Sequence, residues 1–302
     1  MIPDVAVVGT GPAGVAAAVA AKAAGLSVAV FEGAGQPGGQ LHRIYSKVMG
    51  VAPFEGDGAA FAQDLARRLA DAGLAPRYGT PAEGLFGADE RGPRLRLAGG
   101  EFISARAILI ASGLRAQALG VQGEREFAGR GVSPSGRRDR EIFAGQPVVV
   151  VGGGDAAFEN ALLLAEVGCR VTLIARGEPR ARNEFRRRVA EQPAIELIPG
   201  TRVLEVLGDT RVTAVRVAGP RGESLLETRG VFVKIGSVPN SRWCGDGVTC
   251  DPEGYVRVDA RGATSSPGIW AAGDVARPAA FTVPAAWAGA AAAIQAVRAE
   301  VC

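Results

Sequence analysis

The sequence has few of the residues that carry thiol or metal chemistry. Its 302 residues include four cysteines and one histidine. The cysteines are Cys169, Cys244, Cys250 and Cys302; none forms a C-x-x-C pair, and no histidine stands near them to complete a metal set. This excludes a disulfide framework and predicts no bound metal, and so few cysteines indicate a reducing, cytoplasmic location. The single histidine, His42, is expected to be structural.

An excess of charge of either sign is also absent, because 34 basic residues are balanced by 31 acidic residues. This balance gives no electrostatic case for a nucleic-acid partner. The N-terminus carries an acid where a signal peptide needs basic residues. The uncharged stretch 279–297 is mostly alanine and glycine and contains Thr282, Pro284 and Gln295. We therefore expect a buried or interface helix there, and no membrane span.

Glycine, by contrast, is abundant, with 43 residues, and its first cluster organises the chain. Residues 5–8 form an apolar run typical of a buried parallel strand. A G-x-G-x-x-G turn follows, then an alanine-rich helix and a second strand that ends on Glu32. Such a unit binds a dinucleotide, because the glycines admit the pyrophosphate to the helix N-terminus and the acid binds a ribose. The predicted contacts are Gly9, Gly11, Pro12, Ala13, Gly14 and Glu32.

Three further segments end in small or polar residues that suit the same cofactor. The glycine-rich loop at 33–39 is either a surface for a flat ligand, within reach of Gln40, or only a flexible turn. Asp274 stands at the end of a predicted strand, where its carboxylate can accept hydrogen bonds from ribityl or ribose hydroxyls. A helix from about Val283 would point its N-terminus at an electron-rich ring edge. The predicted contacts are Gly39, Gln40, Ser112, Gly113, Gly273, Asp274 and Val275.

The opening pattern then repeats, which predicts a second dinucleotide-binding unit. An apolar strand at 148–151 leads into a G-x-G-x-x-A turn, a helix and a strand that ends in Arg176 rather than in an acid. Arginine can pair with a 2′-phosphate, so the first site is predicted to bind FAD and the second NADPH, with NADH possible. Alternatively, the arginines are the solvated start of a helix. The predicted contacts are Gly152, Gly154, Asp155, Ala156, Ala157, Arg176, Arg180 and Arg182.

The remaining patterns predict elements around these two units. Residues 59–73 fit an amphipathic helix with one apolar face. Residues 114–146 are irregular and are expected to form a crossover between domains. Residues 195–235 alternate apolar and polar residues, which predicts an antiparallel meander joined to the second domain. Together these patterns predict an α/β fold with two Rossmann-like domains.

These pieces resemble the low-molecular-weight thioredoxin reductases over nearly the whole chain. The resemblance rests on VVGTGPAG, PGGQL, ILIASG, GRGVS, VVVVGGGDAA, VFVKIG and PGIWAAGDV, which stand in the family's order and spacing. It implies a discontinuous FAD-binding domain at 1–113 and 239–302, with an NAD(P)H-binding domain inserted at 114–238. It also implies a homodimer and a rotation between the domains during turnover.

Two positions of the family's nucleotide site differ in this chain. Arg176 matches one arginine of the family's H-R-R-x-x-x-R phosphate-binding set, whereas the other arginine positions of that set are Gly177 and Ala181. The resemblance thus supports NADPH through Arg176 alone, unless Arg180 or Arg182 substitutes for the missing arginines.

The largest departure from the family is at its redox-active dithiol. After GRGVS the family carries A-C-x-x-C-D-G, and this chain has Ser135 and Arg138 at the two cysteine positions. A disulfide relay needs one thiol to form a mixed disulfide and a second thiol to resolve it. The resemblance therefore implies flavin chemistry without thioredoxin reduction by an internal dithiol. Cys302 on the tail is a remote alternative thiol.

We therefore expect an FAD-dependent NAD(P)H oxidoreductase that passes electrons from the flavin directly to an unidentified acceptor. That acceptor is a small molecule, such as a quinone or a low-molecular-weight disulfide, or a carrier protein. Hydride transfer to FAD requires orientation rather than an acid–base residue, so the sequence assigns no catalytic residue. Two alternatives stay open. One is a ferredoxin/flavodoxin–NADP reductase, in which Arg137, Arg138, Arg140 and the 180–188 run dock an acidic carrier. The other is a flavin-binding sensor without turnover.

Overall fold

The computed structural model describes residues 2–45, 47–51, 54–90, 92–276 and 282–301. The chain divides into two compact units. Unit 1 contains the residues up to Arg115 and those from Val238 onward, and unit 2 contains Ala116–Ser237. Unit 2 is therefore an insertion in the sequence of unit 1.

Strands and helices alternate along much of both units. The strands are β1 (Val5–Val8), β2 (Val28–Phe31), β3 (Ala82–Asp89), β4 (Gly92–Leu97), β5 (Phe102–Ser104), β6 (Ala107–Ile110), β7 (Leu114–Ala116), β8 (Val132–Ser133), β9 (Pro147–Val151), β10 (Arg170–Ile174), β11 (Ile195–Ile198), β12 (Arg202–Gly208), β13 (Val212–Gly219), β14 (Gly222–Glu227), β15 (Gly230–Val233), β16 (Ser237–Pro239) and β17 (Ile269–Ala271). The helices are α1 (Pro12–Ala23), α2 (Gly58–Asp71), α3 (Gly136–Asp139), α4 (Asp155–Ala165), α5 (Asn183–Ala190) and α6 (Val283–Val301).

Unit 1 is built on a parallel sheet with the strand order β17, β6, β1, β2. All four residues of β1 are buried, as expected of an apolar strand with both faces covered. Val5 and Val7 pack among the helices, while Ala6 and Val8 pack on the opposite face with β4, since successive side chains alternate between faces. The carboxyl ends of these parallel strands share one edge, where the residues that follow each strand lie side by side.

Two alanine-rich helices, α1 and α6, pack together on one face of this sheet. Ala17 and Ala18 of α1 and Ala290 and Ala293 of α6 have no exposed surface, because small side chains let the helices approach closely. The expectation of a helix is confirmed by α6, one face of which is buried, while residues 279–281 of the uncharged stretch lie outside the described residues. Within the part of the chain that the structure describes, no helix is long and apolar enough to cross a membrane.

The predicted amphipathic helix is α2, which begins one residue earlier than the pattern indicated. Asp57 caps it, because its carboxylate accepts a hydrogen bond from the Ala60 amide at 2.9 Å. Phe61, Leu65 and Leu69 form the buried face, as the spacing predicted. Helix α2 therefore completes the helical layer of unit 1.

Unit 2 repeats this plan with the parallel strand order β11, β10, β9, β15, β8. Helix α4 packs on one face of the sheet, against Val148 and Val150 of β9. The antiparallel strands β12, β13 and β14 form a separate sheet, whose side chains join Val149 and Val151 on the opposite face. The prediction of an α/β fold with two Rossmann-like domains is confirmed.

The prediction of one antiparallel meander over 195–235 is wrong at both ends of that range. Strands β12 to β14 form a meander, but β11 pairs in parallel with β10, and β15 pairs in parallel with β9. Alternation shows that one face of a strand is buried, and it does not identify the neighbouring strand. The irregular segment 114–146 also contributes to the sheet, since it supplies the edge strand β8.

Candidate dinucleotide sites

The turn between β1 and α1 gives its three glycines two different roles. A methyl group on Gly9 would overlap the Ala111 carbonyl oxygen, and one on Gly14 would overlap the Gly9 carbonyl oxygen. The φ of Gly9 is 109°, a conformation that favours glycine. By contrast, apart from its chain neighbours, no described residue lies within 4 Å of a methyl group placed on Gly11. The turn therefore leaves open space at the residue where a pyrophosphate approaches the backbone.

The second strand of this unit ends on a carboxylate that three donors hold in place. Oε2 of Glu32 accepts hydrogen bonds from the Thr10 amide at 2.8 Å and from the Thr10 hydroxyl at 2.7 Å. Oε1 accepts one from the Ala34 amide at 2.8 Å. A carboxylate has about four lone-pair sites, so one remains for a ribose hydroxyl. Sequence reasoning missed Thr10, because the middle position of G-x-G carries no signal of its own.

The structure brings together two predicted contacts from opposite ends of unit 1. The side-chain amide of Gln40 donates to Oδ2 of Asp274 at 2.9 Å. Burial raises the pKa of Asp274, and the hydrogen bond from Gln40 opposes that effect. The methyl position of Gly39 is 3.7 Å from Cα of Gly11, and that of Gly273 is 2.6 Å from Cβ of Ala13. The loops that contain Gly39 and Gly273, together with Gln40 and Asp274, thus lie beside the turn between β1 and α1.

At the end of β6, the predicted cofactor contacts Ser112 and Gly113 form hydrogen bonds with Asn240. The Ser112 hydroxyl donates to the Asn240 carbonyl at 2.7 Å, and the Asn240 side chain donates to the Ser112 carbonyl at 2.9 Å. The Asn240 amide also donates to the Gly113 carbonyl at 2.9 Å. The polar groups of this strand end therefore hold Asn240, a residue that no sequence pattern singled out. The Val275 side chain is fully buried in the core.

The turn between β9 and α4 repeats the geometry of the first. Gly152 has a φ of 149°, and a methyl group there would overlap the Lys234 carbonyl oxygen. Beyond the adjacent backbone, nothing in the described part of the chain lies within 4 Å of a methyl group on Gly154, so the second glycine again faces open space. Ala157 replaces the third glycine and is buried. Both turns thus leave space beside their second glycine, which is the feature that a dinucleotide pyrophosphate requires.

The loop at 135–138 is held by hydrogen bonds and an ion pair rather than by thiols. Ser135 is the N-cap of α3 and accepts a hydrogen bond from the Arg138 amide at 3.3 Å. Nε and one terminal nitrogen of Arg138 donate to the two Asp139 oxygens at 2.6 Å and 2.7 Å. The Ser133 hydroxyl donates to the same carboxylate at 2.6 Å. The two positions are therefore occupied by a helix cap and an ion pair.

The two other arginines of this segment are also paired with carboxylates. Arg137 contacts Glu159 at 3.1 Å, and Arg140 contacts Glu141 and Glu166, both at 3.3 Å. These pairs are partly exposed and contribute little stability, but they neutralise the local charge. The segment 137–140 therefore presents matched pairs rather than a positive surface.

The cysteines in the described residues are poor nucleophiles. Burial raises the pKa of Cys169, whose thiol donates to the Phe143 carbonyl at 3.0 Å. Burial, with a smaller effect from Cys250, raises the pKa of Cys244 to about 12. Burial also raises the pKa of Cys250. Because the thiolate is the reactive form, these thiols are largely unreactive at neutral pH. Cys302 lies outside the described residues.

Comparison with known proteins identifies the family of this chain. Residues 3–297 match the model of the pyridine nucleotide-disulphide oxidoreductase family. The chain belongs to this family. It is 37% identical to a thioredoxin reductase of Mycolicibacterium smegmatis over 91% of this chain and 88% of that protein. It superimposes on a crystal structure of Lactococcus lactis thioredoxin reductase with a TM-score of 0.82, at 27% identity over 99% of each chain. The prediction of a thioredoxin reductase-like flavoprotein is confirmed.

Another relative is considerably longer than this chain. An alkyl hydroperoxide reductase component of Pseudomonas putida is 35% identical over 90% of this chain, and the match covers 53% of that protein's length. The chain thus spans about half the length of this curated relative.

The three candidate 2′-phosphate arginines of this family member are not equivalent. The Arg182 amide and Nε donate to the Asp155 carboxylate at 2.8 Å and 2.7 Å. Arg176 and Arg180 are exposed, and neither forms an ion pair among the described residues. A phosphate would therefore compete with Asp155 for Arg182, whereas the other two guanidinium groups are available.

Replacing these arginines one at a time is expected to rank them. Arg176→Ala should weaken NADPH binding by about 5- to 10-fold and leave NADH binding nearly unchanged, since only NADPH carries the 2′-phosphate. Arg182→Ala, the matched control, should change the preference less because Asp155 already holds that guanidinium. Titration of each protein with both nucleotides measures the ratio. A larger loss from Arg182→Ala than from Arg176→Ala would contradict this ranking.

The Arg138–Asp139 pair predicts a dependence of stability on pH. The hydrogen bond from Arg138 lowers the pKa of Asp139, although burial opposes it. A lowered folded-state pKa stabilises the protein above the ordinary carboxyl range, and this contribution is lost as pH falls through the lowered value. Asp139→Asn should therefore lower the melting temperature at pH 7 and approach wild type in acid. The exposed Asp209→Asn is the control, and equal differences at pH 7 and at a pH well below the ordinary aspartate pKa would contradict the assignment.

Proposed function

We propose that this protein is an FAD-dependent NAD(P)H oxidoreductase that passes electrons from the flavin directly to an external acceptor. The observation that carries the proposal is the pairing of two dinucleotide turns with a dithiol loop that contains no thiol. Ser135 and Arg138 occupy the cysteine positions, and both side chains have internal partners. Electrons therefore have no disulfide to enter between the flavin and the acceptor.

The two units divide the binding of the cofactors in this proposal. In unit 1, Gly11 and the α1 N-terminus take the FAD pyrophosphate, Glu32 takes the adenosine ribose, and Asp274 accepts hydroxyl groups of the ribityl chain. In unit 2, Gly154 and the α4 N-terminus take the pyrophosphate of NADPH, with Arg176 at the 2′-phosphate. When bound, the flavin accepts a hydride from the nicotinamide and donates electrons onward. The protein's own groups bind and orient the two cofactors.

The acceptor proposed here is a small molecule, such as a quinone or a low-molecular-weight disulfide. The relatives named for thioredoxin or hydroperoxide reduction do not define it, because this chain lacks the thiol pair that a disulfide relay requires. The matched charges at Arg137, Arg138 and Arg140 also weaken the part of the carrier-protein case that rests on this segment, because an acidic carrier would need an unneutralised positive surface there. A cytoplasmic homodimer remains part of the proposal as a family expectation.

Anaerobic stopped-flow absorbance tests the reductive half of this function. The purified yellow protein is mixed with NADPH and, separately, with NADH. We expect the flavin band to bleach within seconds with NADPH and more slowly with NADH. Reoxidation of the reduced protein is then screened with quinones, small disulfides, ferredoxin and flavodoxin. Tight FAD binding without bleaching by either nucleotide would overturn the enzyme proposal and favour a flavin-binding sensor.

A further inference from the structure

We infer that Thr10 positions Glu32 for the adenosine ribose of FAD and so sets how strongly the site selects a hydroxylated ribose. The inference rests on the proposed FAD site in unit 1. Thr10 contacts the carboxylate of Glu32 and is not proposed to contact the cofactor itself. Thr10 is therefore a positioning residue.

Both hydrogen-bond donors of Thr10 converge on one atom. Its amide and its hydroxyl donate to the same oxygen, Oε2 of Glu32, at 2.8 Å and 2.7 Å. Thr10 has no exposed surface, so water does not compete for these bonds. The amide bond would be made by any non-proline residue at this position, but the hydroxyl bond requires threonine or serine.

The hydroxyl is not needed to hold the turn against β2, because backbone bonds already do so. The Gly9 amide donates to the Phe31 carbonyl at 2.8 Å, and the Thr10 carbonyl accepts from the Gly38 amide at 2.9 Å. The backbone is thus anchored on both sides of the Thr10 side chain. What the hydroxyl adds is a second donor to the carboxylate, and its effect is to fix where Glu32 points.

A fixed carboxylate matters for selection because a glutamate side chain rotates freely when it is not held. With Ala34 bonded to Oε1 at 2.8 Å and Thr10 bonded to Oε2, the orientation of the carboxylate is set before the ligand arrives. Preorganisation of this kind strengthens binding by reducing the ordering that the ligand must impose. The gain applies only to ligands that contact the carboxylate, which are those with a ribose hydroxyl.

The test is displacement of FAD from the holoprotein by ADP and, separately, by 2′,3′-dideoxy-ADP. The release of FAD is measured as a rise in flavin fluorescence. The two competitors differ only in the hydroxyls that Glu32 would bind. Thr10→Val removes the hydroxyl at nearly constant volume, and Thr10→Ser retains it. Reading FAD release restricts the measurement to the flavin site, even if ADP also binds the second turn.

We expect wild-type protein and Thr10→Ser to bind ADP more tightly than the dideoxy nucleotide. In Thr10→Val the ratio of the two affinities should fall by about tenfold. Dideoxy-ADP should displace FAD equally well from all three proteins once the FAD affinity of each is taken into account. If Thr10→Val does not fold, Thr10→Ala gives the same comparison. An unchanged preference in these variants, or equal weakening of both competitors, would overturn the inference. Wild-type protein that holds no FAD would instead overturn the proposed function and, with it, this inference.

Discussion

Alanine at Gly11 is expected to prevent tight FAD binding in a protein that still folds, whereas alanine at Gly14 is expected to disrupt the turn itself. Among the described residues a methyl group at Gly11 meets no neighbour and enters the space proposed for the pyrophosphate, so FAD affinity should fall by about 100-fold, which is close to 3 kcal/mol. A methyl group at Gly14 overlaps the Gly9 carbonyl oxygen. We expect it to cost about 3 kcal/mol of stability or more, as overpacking against a backbone does.

Flavin content and apoprotein melting temperature separate these two outcomes. Gly11→Ala should yield colourless protein that melts near the temperature of wild-type apoprotein. Gly14→Ala should yield little soluble protein, or apoprotein that melts well below it. The two substitutions are matched controls for each other, since both add one methyl group to the same turn. A Gly11→Ala protein that purifies with a full complement of FAD would contradict the placement of the pyrophosphate.

Cysteines at positions 135 and 138 are expected to add a second redox centre to the protein. The Arg138 amide already donates to the Ser135 hydroxyl at 3.3 Å, so the side chain at 135 lies close to the backbone of 138 at the start of α3. Two thiols there can be oxidised to a disulfide with the release of two protons and two electrons. The Ser135→Cys/Arg138→Cys protein should therefore take up about four electrons per flavin, twice the uptake expected of wild type.

The single variants Ser135→Cys and Arg138→Cys are the controls for this experiment. Each has one thiol in the loop and should take up no more electrons than wild type. Arg138→Cys also reports the stability lost when Asp139 is left without its ion pair. Electron uptake by the double variant that equals that of the single variants would show that the loop does not bring the two side chains together.

The parts of the site that the sequence predicted are those that depend on local spacing. Gly9, Gly11 and Gly14 follow a buried strand at fixed intervals, and Glu32 ends the next strand, so the first turn could be derived without the fold. Gln40 and Asp274 were each predicted, but their hydrogen bond joins residues 234 positions apart. No pattern in either segment identifies the other as its partner.

The parts that the sequence did not predict depend on which elements pack together. Ser112 is predicted to contact the cofactor, and it also holds Asn240 through two hydrogen bonds that no local pattern indicates. Arg137 and Arg140 formed a run that would suit an acidic partner. In the fold, Glu159 and Glu166 come from α4 and from the residue that follows it, and they pair with these arginines. Such pairings require the tertiary structure.

Electron uptake by the wild-type protein tests most directly whether this family member works without an internal dithiol. The holoprotein is titrated with dithionite under anaerobic conditions and followed by flavin absorbance. We expect about two electrons per flavin, because the flavin is the only group expected to be reduced. Uptake of about four electrons would contradict this conclusion, since it would require an oxidised thiol pair elsewhere in the chain.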